Sequence, residues 1–583
     1  MKENAAVTKF GIQTRWALLT VLSIVAVAVA PLERPPAVAQ DAASSEMKNL
    51  LIVSLSGYDN LLADVGFLGQ FVGQPALAEQ LTKTLELYTQ GQGLPGLDKS
   101  RPWGMVVQTD GTQFQPLAFA PVTDVKQLLG ALENLQLEAQ DRGAGVFELQ
   151  STTPAVPQSV FVKQSGDWAF IGQNADAVAQ VPADPVAQLD GLHQQYDVAV
   201  RLYVQNIPEL FRQMAIGQMQ AGMQAGLQQG LDELGDDPQG DDVQLRQKLA
   251  EAQVRSLTRL VKETEHITVG WLIDSNKQTT HVDFSLTAVA GSQLAKQAAE
   301  LHDTKSAFTG FLDPDSAACL NFSSKYPRED IDQMLAMLRT VRQQALQAID
   351  DEDLPSDQVR AALKSSLGDF LDVVQATVEG GTMDGGMLLK LSPKSMTLAA
   401  GAHLVDAQRL EKVLKQIEEV AEKEVDTPAV QWDAEQHEGV RFHTTRVPVP
   451  ADEEDARKIL GEAVDVAVGI GQHSFYVALG NDGISVLKAA IDQSKAGAER
   501  TVPPAVLTLS LARIVRFAAL HTDEPVVKRL AEAFEQGTST DHVKITVTAF
   551  PNGFAYRLEV EEGALKALAQ VLPEVAQQAA GAF

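Results

Sequence analysis

Cys319-Leu320-Asn321-Phe322 is a short apolar run of strand length, and Pro327 follows it where a helix would begin. Two helix-length stretches come next, about Glu329 to Ile349 and Ser356 to Val378. Met387 to Leu391, a turn at Ser392-Pro393-Lys394, and Met396 to Leu404 then read as a β-hairpin. Asp406 precedes the helically spaced Leu410, Val413, Leu414 and Ile417, as an N-cap precedes an amphipathic helix. The order is strand, helical hairpin, β-hairpin, helix. Strands joined by a tight turn are antiparallel, so this stretch predicts an antiparallel sheet and not a parallel one.

The same order recurs upstream. Val198 to Val204 alternates apolar and polar, Pro208 stands at a helix start, and helices are expected over Glu209 to Leu234 and Val243 to Lys262. A hairpin follows, Ile267 to Ile273 and Val282 to Ala288 around Asp274-Ser275-Asn276-Lys277, and Ser292 opens a closing helix. A first copy begins at Leu50 to Leu55, with a helix over Ala76 to Leu87. Its hairpin turns at Asp110-Gly111 between Gly104–Thr109 and Phe114–Phe119, and Asp124 caps a helix over Val125 to Leu132. A short fourth copy runs from Val506 to Leu511 through helices over Ile514–Phe517 and Glu524–Phe534. It continues into a hairpin around Pro551-Asn552-Gly553 and a helix over Ala564–Leu572. The first and third copies carry an extra hairpin tail, Val160–Lys163 with Trp168–Asn174 and Val464–Val468 with Phe475–Asn481.

The expected fold is therefore α+β. It has four repeated β-α(α)-β-β-α units in two similar halves, about 48–300 and 310–575, and antiparallel sheets with helices packed on one face. The expected units are 48–190, 191–305 with a long helical hairpin, 310–495 with a helical hairpin and tail, and the short 500–583.

Residues 1–39 read as a signal peptide. Lys2, Lys9 and Arg15 precede the uncharged run Trp16 to Ala30, and Pro31, Pro35 and Pro36 lead to Ala37-Val38-Ala39 before Gln40. The run is too short for the roughly 18 residues of a membrane span. Export to the periplasm or medium, with cleavage after Ala39, is the expectation. An uncleaved anchor is the alternative, and no cysteine follows the run to take a lipid. The chain carries −29 overall. The leader holds four cations and two anions, so the mature chain carries −31. That charge disfavours nucleic acid and anionic membrane surfaces as partners. The single cysteine, Cys319, excludes an internal disulfide and a cysteine-rich metal site.

No motif here carries chemistry, so catalytic residues stay unknown and no cofactor or metal is expected. The acidic stretches Asp232–Asp242 and Asp350–Asp357 lack the ligand spacing of a calcium loop and read as solvated interhelical loops. His437-Glu438-Gly439-Val440-Arg441-Phe442-His443 spaces its histidines by six, not the four of a zinc-protease helix. It alternates like a strand, with both histidines expected as exposed structural groups. Gly222, Gly226 and Gly230 form a small-residue stripe interleaved with glutamine; helix packing is expected there, self-association the alternative. Arg101-Pro102-Trp103 reads as a rigid start to a strand, with Trp103 in the core, and otherwise as a recognition patch. No nucleophile elbow, phosphate loop or dinucleotide fingerprint occurs.

In its leader, in Arg101-Pro102-Trp103-Gly104-Met105-Val106-Val107 with Asp110-Gly111, and in Trp168-Ala169-Phe170-Ile171-Gly172-Gln173-Asn174, the chain resembles a family of large exported bacterial proteins of tandem α+β repeats and unknown function. That family has no established catalytic residues, so the resemblance carries none over. The leading functional reading is an exported acidic binding or structural protein of the cell envelope, whose partner is an unknown protein or apolar ligand. The alternatives are a carrier of an apolar or lipid ligand between sheet and helices, and a hydrolase with a non-local site.

Overall fold

The computed structural model describes residues 46–569 apart from 72, 134–136, 152–158, 233–253, 303, 352–353, 355, 394, 425–428, 499 and 536–539. The expected leader, most of the first acidic loop and part of the second lie outside the described residues. The described residues divide into two compact units. One takes those up to Met214 with Glu265–Phe284; the other takes Ala215–Thr264 with Ser285 onward.

The strands of the first unit are β1 (Lys48–Leu55), β2 (Trp103–Thr109), β3 (Phe114–Pro121), β4 (Leu137–Asp141), β5 (Val146–Ser151), β6 (Val160–Ser165), β7 (Trp168–Gly172), β8 (Val198–Tyr203) and β9 (Thr264–Asp274), which turns into β10 (Thr279–Ala288). They lie in the order β9-β8-β1-β2-β3-β7-β6-β5-β4, with every neighbour antiparallel. The second unit contains β11 (Ala318–Lys325), β12 (Thr382–Ser392), β13 (Ser395–His403), β14 (Gln431–His437), β15 (Val440–Pro448), β16 (Ala463–Ile470), β17 (Ser474–Gly480), β18 (Ala505–Ser510), β19 (His542–Phe550) and β20 (Gly553–Glu561). Their order is β19-β18-β11-β12-β13-β17-β16-β15-β14, again antiparallel throughout, with β20 beside β19. Strand for strand the two orders coincide.

The registers coincide as well. In the first unit one row across the sheet reads Val269, Val200, Val53, Met105, Ala118, Ile171. In the second the row at the same strand positions reads Ile545, Leu507, Leu320, Met387, Ala400, Val477. Side chains alternate between faces with a period of two, so each row lies on one face of its sheet.

The helices include α1 (Tyr58–Phe71), α2 (Leu77–Tyr88), α3 (Val125–Glu133), α4 (Glu209–Asp232), α5 (Gln293–Glu300), α6 (Arg328–Asp351), α7 (Asp357–Glu379), α8 (Gln408–Glu424), α9 (Glu454–Leu460), α10 (Gly483–Gly497), α11 (Leu511–Ala519) and α12 (Pro525–Glu535), with single-turn helices at Val186–Leu189 and Leu192–Gln195 before β8 and helical residues at 254–263 before β9. Their starts follow local chemistry. Pro208 and Pro327 each immediately precede a helix, as the sequence suggests. The Ser292 and Ser356 hydroxyls accept from the N–H of Ala295 and Val359, and the Asp124 carboxylate accepts from Lys126 N–H at 2.9 Å.

Three expectations need correction. Helices cover both faces of each sheet, not one. In the first unit Ile52, Phe119 and Phe170 pack under Leu189 and Leu192, while Phe147, Val162 and Ala169 on the reverse face pack under Val125 and Leu129 of α3. In the second, Leu388, Ala399 and Ala478 pack under Leu487 and Ile491 of α10, while Arg441 on the reverse face pairs with Glu411 of α8. Strands such as Trp168-Ala169-Phe170-Ile171 are apolar at both parities, the pattern of a sheet buried on both sides. Second, residues 437–443 are not one strand. Glu438 and Gly439 have φ of 52° and 82°, so the chain reverses there and the two histidines sit on the two strands of the β14–β15 hairpin. Third, the β4–β5 hairpin precedes the expected tail; Gly143, Ala144 and Gly145, all at positive φ, turn it.

Candidate functional site

The matched apolar rows are not covered along their whole length. In the first unit Met105 and Ala118 are buried, while Val200 and Val269 at the other end of that row are 37% and 43% exposed. The β9–β10 hairpin extends this open surface. The Trp271 indole donates to the Thr280 hydroxyl at 2.8 Å, which puts both side chains on one face. Alternation then carries Val269, Val282 and Phe284 to the same face, and the latter two are also exposed. The reverse face of this hairpin is closed. The Tyr196 ring lies on Gly270, where an added β-carbon would meet it at 2.5 Å, and its hydroxyl donates to Asp283 at 3.0 Å. Beside the open face, Phe211 at the start of α4 packs on Phe114 with ring centroids 5.9 Å apart, leaving Leu210 and Met214 exposed.

The second unit opens at the corresponding end. Ile545 and Leu558 face each other across β19–β20, Tyr556 lies one step along, and all three are exposed. Isolated surface apolar residues need no explanation, but contiguous ones rimmed by polar groups mark interaction sites.

Two open clefts belong to the second unit. One, of about 440 Å³, lies between β15–β17 and the start of α10, lined by Gln431, Thr444, Arg446, Asp465, Asp482 and Ser485. Arg446 is already 3.7 Å from Asp465, and no histidine lines the cleft to serve the hydroxyls as a base. The other, of about 510 Å³, is lined by Arg255, Arg259 and Lys262 along one helix face, with Arg259 3.8 Å from Asp330.

The residues singled out in sequence do not converge. Cys319 is buried in the core of the second unit, where burial raises its thiol pKa, leaving it protonated. His437 bonds Asp492 through Nε2 at 2.7 Å, whereas His443 is buried rather than exposed, accepting from the Asp433 N–H at 3.0 Å, with burial lowering its pKa. Arg101 stacks on the Trp168 ring at 4.3 Å and approaches Asp167, so its guanidinium clamps the strand start to β7. Trp103 is partly buried. Gly222 lies in α4 with open space where a β-carbon would be; the side chains at 226 and 230 fall outside the described ones.

Sequence reading missed the buried acids. Asp384 hangs between β12 and the chain before β11, accepting from Ala307 N–H at 2.7 Å, and burial raises its pKa. Asp64 of α1 faces Asp197; burial first, then the Asp197 charge, pushes its pKa up to about 7. Neither acid lines either cleft. Among the described residues no group of three or more His, Cys, Asp or Glu is placed to hold a metal ion, and no helix is long and apolar enough to cross a membrane. No family model, curated protein or solved structure matches this chain.

Proposed function

We propose that the chain is an exported binding protein without catalytic chemistry, and that the uncovered apolar ends of its two sheet faces are its binding surfaces. The observation that carries this reading is the run Val200, Val269, Val282 and Phe284, four exposed apolar side chains on adjoining strands of one face. A partner that covered them would gain the burial of carbon surface, about 25 cal/mol per Å². The coincident strand orders support a duplicated architecture of the four β-α(α)-β-β-α units, which would give one chain two surfaces of the same kind and raise its avidity for a repeated or extended partner. The basic leader with its apolar run supports export. The charge of the mature chain favours a neutral or apolar partner over an anionic one.

A second reading, a carrier for an apolar ligand, draws on the same faces, because the exposed apolar groups there are aliphatic or aromatic and, Tyr556 apart, carry no hydrogen-bonding group to select a polar partner. Site-specific photo-crosslinking separates these readings. A crosslinking side chain at Phe284 or Ile545 should capture a partner in the envelope fraction, a protein under the first reading and a lipid under the second. The same group at Leu87, an exposed apolar residue 78% accessible on α2, should capture neither. Equal capture at all three positions would overturn the proposal.

A further inference from the structure

Asp197 is held from four sides. Its N–H donates to the Trp271 carbonyl at 2.9 Å, and its own carbonyl accepts from Ser56 N–H at 2.9 Å. Its carboxylate accepts from Ile273 N–H at 2.8 Å and lies 3.4 Å from the Ser56 hydroxyl. These bonds fix the Asp197 carboxylate between the ends of β1 and β9. Asp64 on α1 faces it, and its Oδ2 is buried with no donor among the described residues. Two ionised carboxylates are both acceptors and repel, so a facing pair in which one oxygen is buried is favoured by a shared proton.

We propose that Asp64 and Asp197 form a proton-operated latch that fastens α1 to the sheet of the first unit. With Asp64 protonated, its O–H donates to the Asp197 carboxylate and the helix is tied down. With Asp64 ionised, the bond becomes a repulsion and the helix loosens, uncovering Phe71, which is buried near the end of α1. The charged groups around the latch do not replace the proton. On α1, Asp59 is exposed and bears the same charge. From α2, which packs on α1, Lys83 is taken by Glu79, and Glu86 adds a further negative charge near Tyr58. From the segment before β2, Lys99 lies over the Tyr58 ring and Arg101 over Trp168. From β10, Asp283 receives the Tyr196 hydroxyl. Among the described residues, Asp197 is the charged group that acts on Asp64, after burial itself.

The sign follows from a pKa raised on folding. The latch contributes fully below the unfolded value near 4, is lost progressively as pH rises to about 7, and contributes nothing further above that. The test compares wild type with Asp64→Asn, whose neutral amide still donates to Asp197. The unfolding midpoint of the variant should match wild type near pH 4 and exceed it by a growing margin up to about pH 7. Amide exchange over Tyr58–Phe71, corrected for intrinsic rate, should accelerate with pH in wild type and not in the variant. Asp59→Asn should change neither. Should Asp64→Asn fail to fold, the carboxyl titration of Asp64 in wild type, followed by carbon-13 NMR, still decides. A midpoint near 7 supports the latch. A midpoint near 4, or exchange and stability that vary with pH identically in wild type and Asp64→Asn, overturns it.

Discussion

The two units fill the same place in the same sheet by different means. In the first, Phe119 of β3 pairs with Phe170 of β7 in the ladder, and both rings come from the sheet itself, 6.4 Å apart by centroid. In the second, the corresponding pair is Gly401 of β13 and Tyr476 of β17, and the missing ring is supplied from outside. Phe308 and Phe311, ahead of β11, drop onto a floor of glycines, Phe311 stacking on Tyr476 at 6.4 Å. A β-carbon at Gly386 would sit 2.7 Å from Phe311, and one at Gly401 2.7 Å from Tyr476. Packing density is conserved where residue identity is not, because the core needs the volume and not its source.

The comparison can be broken in order of expected effect. Phe311→Ala empties a fully buried ring site and should cost about 3–5 kcal/mol in urea unfolding, as should Phe119→Ala in the first unit. A loss below 1 kcal/mol at Phe311 would mean that the ring is not the second unit's substitute for Phe119. Gly386→Ala should cost about 1–3 kcal/mol by overpacking, and less than that when combined with Phe311→Leu, since the two changes meet at one contact. Strict additivity in that cycle would contradict the contact. The buried acids come next. Burial raises Asp384, so its contribution is full in acid and declines as pH climbs above the unfolded value near 4; Asp384→Asn should remove that part of the decline. Phe284→Ser and Ile545→Ser, on the open faces, should change stability by no more than about 0.5 kcal/mol while weakening partner capture.

What was legible in sequence were features whose cause is local. The hairpins announce themselves through turn residues: Asp110 accepts from Thr112 and Gln113 N–H, both at 2.8 Å, and Asn552 adopts φ 60° before Gly553. Prolines and serines mark helix starts for equally local reasons. The β4–β5 hairpin was missed because Leu137-Glu138-Ala139-Gln140-Asp141 lies at the sheet edge and is short, with only Leu137 and Ala139 apolar, so its alternation is weak and holds no β-branched or aromatic residue. The burial of His443 and the helices on both faces were missed because they depend on which strands come together, and β3–β7, β1–β8 and β11–β18 join residues far apart in sequence. The Asp64–Asp197 pair has the same character, since Ser56 and Asp197, its anchor, are 141 residues apart.

The central claim is that the open ends of the two apolar faces bind. It is tested most directly by titrating wild type, Phe284→Ser, Ile545→Ser and the double variant with an environment-sensitive apolar dye such as Nile red, at a pH where all are folded. The account predicts saturable binding to wild type, a partial loss in each single variant and the largest loss in the double. Identical titrations for all four proteins would contradict it.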